Sequence, residues 1–447
     1  MKKIILIVML GIFCLTIHSK ETDPKNIIII SVDTLRADHL SCNGYPIKTS
    51  PEIDKFSKDS IRFSNCFTVT PLTAPAFSSM LTSLPPHKHG AKRNGLSVFS
   101  HIHTLPWHLK KYGYTSSAFI SNWPLRKKLS QLHKDFDSYY EIFTRKRYHG
   151  LFNDESTAVD VNLKVEKWLD ENYKKKMFLW IHYSDPHAKY IFHTKYNFEY
   201  KKENKSYYPP KTRFKKIRKY DSEIAFTDFH IGLLIKKLKK LNLYNDSLII
   251  FISDHGESFG EHKYFKHGKK LFNSTLHVPL IVKLPNNRLK NTVIDNNVSI
   301  LDISPTILSV LNLPIPENME GTSIFEKNRG KPIFFETYKG TVLFRRSNIK
   351  FHNKVHPIKH GILLGNSKII HSRKSGELKI FNIKNDIFEL QDLYVKNSNE
   401  YKKLKLLLVN YVKSINKYIK YSRKYFKQNS KLSQEDIQKL KSLGYID

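Results

Sequence analysis

The sequence predicts an α/β protein built on a mostly parallel sheet, with a smaller α+β unit at its C-terminal end. Three observations carry that expectation. Short, continuously apolar runs stand at 27–32 (IIIISV), 177–182 (MFLWIH) and 248–252 (LIIFI); amphipathic segments separate them; and after about Pro316 the pattern changes to shorter strand-like pieces. Strands covered on both faces read as unbroken apolar runs, because neither side of the pleat meets water. A chain of 447 residues, 40% hydrophobic, is long enough for one large domain and a small one.

The chain opens with Met1-Lys2-Lys3, an apolar run over 4–17 and then polar His18-Ser19-Lys20. This is the basic start and short apolar centre of a secretory signal, too short for a full membrane span. Residues 1–19 are therefore expected to be a signal peptide, and the protein to be exported to the periplasm or cell envelope, or secreted. A second reading makes Cys14 a lipid-attachment site, in which case the chain would contact a membrane; bulky Phe13 beside it counts against this. Without residues 1–19 only Cys42 and Cys66 remain. They make neither a disulfide framework nor a thiolate metal cage, though one disulfide is allowed.

Each of the three predicted strands ends in polar, chemically able residues. The first ends at Asp33-Thr34, the second at Asp185-Pro186-His187 and the third at Asp254-His255-Gly256. Ligands of open parallel sheets bind beyond the carboxyl ends of the strands, so these clusters are expected to converge in one crevice. Between the second and third strands, Ile224, Asp228, Ile231, Ile235 and Leu238 mark one face of a helix. Asp228 interrupts that face. A carboxylate there needs partners, so it is expected to accept structural hydrogen bonds near the site.

Beyond the larger unit, taken as 20–325, the pieces 332–336, 342–346, 361–364 and 377–381 suggest a small antiparallel sheet, and a Lys-rich helical region spans 398–428. Together these make a C-terminal subdomain, 326–447. The formal charge of +35, from 75 Lys and Arg against 40 Asp and Glu, would attract anionic partners such as glycans, lipid headgroups or nucleic acid, but it reads better as the composition of a Lys-, Ile- and Asn-heavy genome. The lysines are spread along the chain without a nucleic-acid motif, so no nucleic-acid partner is expected.

Asp33 and Asp254 are hard oxygen donors and His255 adds a nitrogen; with the hydroxyl of Thr73 they would form a compact mixed-ligand site for a divalent cation. Taken singly, each has a plainer role: Asp33 as a helix cap, Asp254-His255 as a turn. Pro75 suits the first turn of a helix running to about Leu84, which puts Thr73 at the helix N-terminus, where free N–H groups and the dipole favour an anion.

The motifs also resemble a known family. SVDTLRADHLSCNGY (31–45) and TSPEIDKF (49–56) are similar to the opening of sulfatase-family proteins, within the alkaline phosphatase superfamily. TPLTAPAFSSMLTSLPPHKHG (70–90) resembles the family's nucleophile segment, and HYSDPHAKY (182–190) its histidine-proline-histidine region. SDHGESFGEHKYFKHGKKLFNSTLHVP (253–279) resembles the second metal segment; LDISPT (301–306), FELQDL (388–393) and the terminal LKSLGYID are further landmarks. The resemblance covers nearly the whole chain after the signal. It implies an alkaline-phosphatase-like sandwich and a metal-dependent hydrolase of sulfate or phosphate-type esters, with calcium, zinc or manganese as one or two ions.

The resemblance implies catalytic roles for Thr73, His187 and His267, and metal-ligand roles for Asp33, Thr73, Asp254 and His255. Asp185, His187 and His267 would bind a second metal or, alternatively, donate to substrate oxygens. His182, His262 and Glu257 would support them from behind, His89 would be structural, and Arg93-Asn94 would approach the substrate. The pattern is broken at several points. Thr34 stands where arylsulfatases place a second aspartate, and Thr73 replaces the cysteine or serine that becomes formylglycine. Ala76 and Phe77 replace the usual serine and arginine or histidine. The stretch SAFISNWPL (117–125) lacks the Lys-x-His pair that helps hold sulfate. Two other readings stay open: a phosphoethanolamine-type headgroup transferase, which normally carries membrane helices, and an inactive sulfatase-like binding protein.

Overall fold

The computed structural model describes residues 24–144, 157–200, 207–209, 212–326, 330–338, 356–394, 401–421 and 438. The predicted signal peptide with Cys14, the predicted strand at 342–346 and the terminal LKSLGYID motif lie outside the described residues.

The three apolar runs form the centre of an eight-stranded sheet. They are β1 (Asn26–Val32), β5 (Met177–Tyr183) and β6 (Ser247–Ser253), joined there by β2 (Ile61–Phe67), β3 (Thr115–Ile120), β4 (Ser138–Glu141), β9 (His277–Lys283) and β10 (Thr292–Ser299). The order is β10-β2-β9-β6-β1-β5-β3-β4. Every neighbouring pair is parallel except those of β9, which runs against both β2 and β6.

Helices cover both faces. Ile27 and Ile29 point into a core with α2 (Thr73–Thr82) and α5 (Ile303–Val310), whereas Ile28 and Ile30 point into a second core with α1 (Pro51–Lys58), α3 (Ala158–Asn172) and α4 (Phe214–Lys240). This two-sided burial explains the unbroken apolar sequence of β1: each of its four isoleucines is at most 1% exposed. At about 1.5–3 kcal/mol per buried side chain, the strand ranks among the main contributors to the core.

The predicted face of α4 is buried, including Asp228. Asp228 does accept hydrogen bonds, but at a helix start: its carboxylate takes the amides of Glu52 (3.0 Å) and Ile53 (2.7 Å) in the first turn of α1. Burial pushes its carboxyl up to about 7 from 3.8, against those two donors, which pull it down. A raised folded-state value means that the group's stabilising contribution is complete below about 4 and is lost as pH rises through 7. Urea midpoints should therefore fall between about pH 5 and pH 8, and Asp228→Asn should flatten that fall. Asp228→Ala, which strands two amides, should cost about 2–4 kcal/mol at either pH. An unchanged slope in the asparagine variant would refute the assignment.

The C-terminal sheet is antiparallel, in the order β11 (Ile333–Thr337), β12 (Lys359–Leu364), β13 (Ser367–Ser372), β14 (Leu378–Asn382). Ile362, Ile369 and Ile380 cover one of its faces against Leu404 and Leu408 of α6 (Lys402–Tyr421). The other packs Phe335, Leu363, Ile370 and Phe381 against Phe67, Phe272 and Leu276 of the larger domain. A buried ion pair pins the seam: Lys368 Nζ lies 2.6 Å from Glu389 and donates to Asn273 Oδ1 at 2.8 Å. Cys42 and Cys66 are free thiols. Among the described residues no helix is long and apolar enough to cross a membrane.

Candidate active site

Register brings the strand-end clusters together. Val32 pairs with Tyr183 on one side and with Ser253 on the other, so Asp33, Ser184-Asp185 and Asp254 leave the sheet at one level. The chain turns sharply after Asp33 because Thr34 adopts a left-handed conformation, φ 56°. The Thr34 amide then donates to Asp254 Oδ1 at 3.1 Å, and its hydroxyl donates to the Asp33 carbonyl at 2.7 Å. Where arylsulfatases carry a second carboxylate, this side chain turns back on its own backbone.

Asp254 Oδ1 also accepts the His255 amide at 2.9 Å. Asp33 Oδ2 accepts from Asn122 Nδ2 and lies 3.6 Å from His182 Nε2. Two buried oxygens, Asp33 Oδ1 and Asp254 Oδ2, accept no hydrogen bond among the described residues. His255 Nδ1 faces the Gly256 carbonyl at 3.0 Å, which makes that nitrogen the N–H donor and leaves the Nε2 lone pair facing the site. Gly256 permits this turn: a Cβ there would stand 2.3 Å from the Ser274 carbonyl oxygen.

Thr73 begins α2, and its Oγ1 lies 3.3 Å from His255 Nε2. The next amide of the helix, Ala74 N–H, donates to Asn94 Oδ1 at 3.0 Å. The helix ends at Thr82, two residues short of expectation, where Ser83 turns left-handed at φ 55°. Phe77, in the place of the family's arginine or histidine, is fully buried with its ring 5.0 Å from those of Trp180 and His182. An apolar ring thus fills the space where a charged group would stand.

Donor atoms of Asp33, Asp254 and His255 lie within 4.8 Å of one another, all buried. Burial raises both carboxyls, but only Asp254 ends high, at about 6, with the Asp33 charge adding to burial. Asp33 is held well below the usual carboxylate range: burial raises it, and the nearby imidazoles of His182, His187 and His255 more than offset that. Two close buried carboxylates with unpaired oxygens and a histidine lone pair fit a divalent cation. The residues present therefore suit the group that the resemblance implies.

Two further imidazoles, those of His267 and His187, stand beside this cluster. The His267 ring centroid is 4.4 Å from that of His255 and 5.4 Å from that of His187. His267 Nδ1 faces Glu257 Oε2 at 3.4 Å; burial, then the neighbouring His255, pushes its pKa down to about 4, so the ring is neutral at pH 7. Asp185 is not part of the Asp33, Asp254 and His255 group: its Oδ1 accepts the Ala158 amide at 3.1 Å, at the start of α3.

Of the remaining sequence candidates, His182 lies behind Asp33 and faces Ser31 Oγ at 3.2 Å, and His89 is buried against Ser79 Oγ at 3.0 Å. His262 lies away from the cluster, against the Phe388 carbonyl at 2.9 Å. Asn122 was missed by sequence reasoning. Its signal is position: it lies two residues past the end of β3, on the same sheet edge as Asp33. Asn122→Ala should lower divalent-cation affinity by about 10–100-fold, as expected for loss of a group that orients a ligand. Competition with a fluorescent chelator measures this, and an unchanged affinity would remove Asn122 from the site.

The fold and the site define a hydrolase of sulfuric or phosphoric esters. Residues 25–313 match the sulfatase family model, and residues 260–417 match the model for the C-terminal part of N-sulphoglucosamine sulphohydrolase. The chain belongs to the sulfatase family. It is 25% identical over 342 residues to the ulvan-active sulfatase of Formosa agariphila, covering 70% of this chain and 66% of that protein's length. Among solved structures, a protein in complex with its substrate D-glucosamine-2-N,6-O-disulfate superposes with a TM-score of 0.69 at 18% identity, covering 90% of this chain and 99% of the other. The phosphonate monoester hydrolase of Agrobacterium radiobacter gives 0.65 at 18% identity, covering 88% and 96%. At such identities the likeness shows the fold.

Proposed function

We propose that this chain is a threonine-bearing sulfatase-family hydrolase that turns over phosphomono- or phosphodiesters better than sulfate esters, through a covalent Thr73 intermediate. The observation that carries the reading is the placement of Thr73 Oγ1, at the N-terminus of α2 and 3.3 Å from His255 Nε2, beside the unpaired oxygens of Asp33 and Asp254. Asp33, Asp254 and His255 would hold a divalent cation, which supplies positive charge that favours the ionised hydroxyl and the charge developing on the ester oxygens.

In the first step Thr73 Oγ1 bonds to phosphorus, the ester P–O bond breaks, and the hydroxyl proton leaves with the alcohol or to solvent. In the second, a water oxygen attacks phosphorus, the P–Oγ1 bond breaks and Thr73 regains its proton. The α2 dipole favours the anion, the Ala74 and Ala76 amides being taken by Asn94 Oδ1 and the Leu72 carbonyl, and His187 donates to the equatorial oxygens, while His267, its proton on Nδ1 toward Glu257, presents Nε2 as an acceptor. Asp33 and Asp254 are positioned by Asn122 and by the amides of Thr34 and His255. The basic chain and the sulfated sugar bound by one structural neighbour support a glycan or lipid-headgroup ester as substrate. The pattern at residues 1–19 supports export to the periplasm or envelope.

Parallel assays of nitrophenyl sulfate, nitrophenyl phosphate and a nitrophenyl phosphodiester with calcium, zinc and manganese test the reading. Faster turnover of a phosphate substrate is expected; faster Thr73-dependent turnover of the sulfate would overturn it.

A further inference from the structure

The end of the sheet opposite the active site is basic. The central parallel strands start there: β1 after Lys25, β5 after Lys174-Lys175-Lys176 and β6 after the turn 242–246. Lys25, Tyr173, the three successive lysines and Asp246 line one open hollow of ≈ 580 Å³. Lys25 is paired with Asp246 at 3.3 Å. The other three lysines are exposed and meet no carboxylate among the described residues. Lys175 donates to Asn172 Oδ1 at 2.7 Å, and Lys174 and Lys176 lie over the rings of Tyr173 and Tyr114. The described residues also begin at this end, at Pro24, and the segment before it contains the apolar run 4–17.

A second feature stands on the same end. β9 runs against β6, so its C-terminal end lies here, followed by the loop 284–291 that leads into β10. The Asn286 amide ties this loop to the turn before β6, donating to the Asn245 carbonyl at 2.8 Å. At the tip, between Arg288 and Lys290, Leu289 is 56% exposed and has φ 56°. A lone exposed leucine says little. One held in the left-handed region, which L-residues other than Asn and Asp avoid, between two cations at a loop tip, has no counterpart to pack on within the chain.

We propose that this end of the sheet docks on the surface of an anionic phospholipid bilayer, with Leu289 and Tyr173 at the boundary of the acyl chains and the lysines among the headgroups. Basic side chains are drawn to the negative surface potential, and aromatic and apolar side chains settle at the interface. The lysines after α3 also suit that helix's dipole, but the dipole gives no use to Leu289. A soluble polyanion would leave Leu289 in water, whereas a bilayer covers it, and the apolar run 4–17 leads into this same face. The seven residues of β1 separate the two ends of the sheet by about 23 Å, so the docked protein turns Asp33, Thr73 and His255 away from the bilayer. The inference stands apart from the ester-hydrolase reading.

Vesicle co-sedimentation of the full chain tests this, with vesicles of phosphatidylcholine alone and of an equimolar mixture with phosphatidylglycerol. The neutral vesicles report what the apolar run 4–17 contributes by itself. The mixed vesicles should bind at least about tenfold more tightly, and added salt should erase the difference. Lys174→Glu, Lys175→Glu and Lys176→Glu together should erase it at low salt. Leu289→Asn, which places a residue tolerant of left-handed backbone, should weaken binding to the mixed vesicles about fivefold without lowering the melting temperature. Lys215→Glu, Lys216→Glu and Lys219→Glu serve as the control: they change net charge equally in the first turns of α4, at the end where Tyr220 donates to the Thr34 carbonyl at 2.7 Å, and should leave binding unchanged. Melting curves establish that each variant is folded. Equal binding to the two kinds of vesicle would overturn the proposal, as would an equal loss in the control or full binding by Leu289→Asn. Tighter binding to soluble dextran sulfate than to the mixed vesicles, lost in the Lys174–Lys176 variant, would also overturn it by assigning the face to a polyanion.

Discussion

Asp254→Asn should abolish divalent-cation retention and lower ester turnover by at least about 10³-fold, a loss of roughly 4 kcal/mol of transition-state stabilisation. The substitution is informative because it separates charge from structure. Asp254 Oδ1 accepts the amides of Thr34 and His255, and an asparagine carbonyl can keep both bonds while the charge on the other oxygen disappears. Asp254→Ala would strand the two amides and confuse misfolding with loss of the ion. Elemental analysis after dialysis gives the retained metal, and a thermal scan supplies a readout independent of activity. Cation at 1,000 times its dissociation constant stabilises a folded protein by about 4 kcal/mol, so the wild-type melting temperature should rise on adding the ion and that of the variant should not. Treatment with a chelator should silence the wild-type enzyme, and the ion that restores it identifies the metal. A fully active, metal-free Asp254→Asn protein would remove the ion from the reaction.

The parts of this site legible in the sequence are those fixed by backbone position. Asp33 and Asp254 follow unbroken apolar runs, and such runs are strands covered on both faces, so their ends had to meet at one edge of the sheet. The outer strands carry no such signal. β10, TVIDNNVS, is polar and largely exposed at the sheet edge, whereas β3 is buried on both faces but begins TSSA, so its small hydroxyl side chains leave little apolar pattern to read. β13, SKIIHS, is largely buried, but only Ile369 and Ile370 in it are apolar, so neither an apolar run nor an alternation marks it.

Side-chain assignments were legible only in part, because a strand end specifies where a carboxylate leaves the sheet and not what it meets. Asp185 and Asp33 look alike in sequence, yet Asp185 Oδ1 serves the first amide of α3, and only Asp33 brings an oxygen into the group with Asp254 and His255. Asp228 was rightly read as an acceptor, but its partners lie on α1, more than 170 residues away in sequence. Asn122 depends wholly on the β5–β3 pairing, which places the end of β3 one strand beyond β5 and within reach of Asp33.

Thr73→Ala should lower turnover of the best phosphate substrate by at least about 10³-fold, whereas Thr73→Ser should stay within about tenfold of wild type. Alanine leaves α2 and the Asn94 cap on Ala74 in place, so only the hydroxyl is lost. The proposed ester preference rests on that single hydroxyl. A formylglycine hydrate has two: after one is sulfated, the other can expel sulfate by re-forming the aldehyde. Sulfated threonine has no such exit, and its sulfate would have to be displaced by direct attack at sulfur. Phosphorylated threonine can be attacked by water at phosphorus, with charge on the equatorial oxygens stabilised by the cation site, the α2 dipole and His187. The pocket agrees, since Phe77 is an apolar core residue where the family carries a charged one, and the 117–125 stretch supplies Asn122 to Asp33 in place of a Lys-x-His pair. Rapid mixing with a nitrophenyl sulfate should therefore give at most a single turnover and a trapped adduct 80 Da heavier, an increment of roughly one SO₃ group, on the peptide containing Thr73, while the phosphate substrate cycles. Steady multiple turnover of the sulfate, lost in Thr73→Ala, would show that threonine has an exit for sulfate and that this account of the ester preference is wrong.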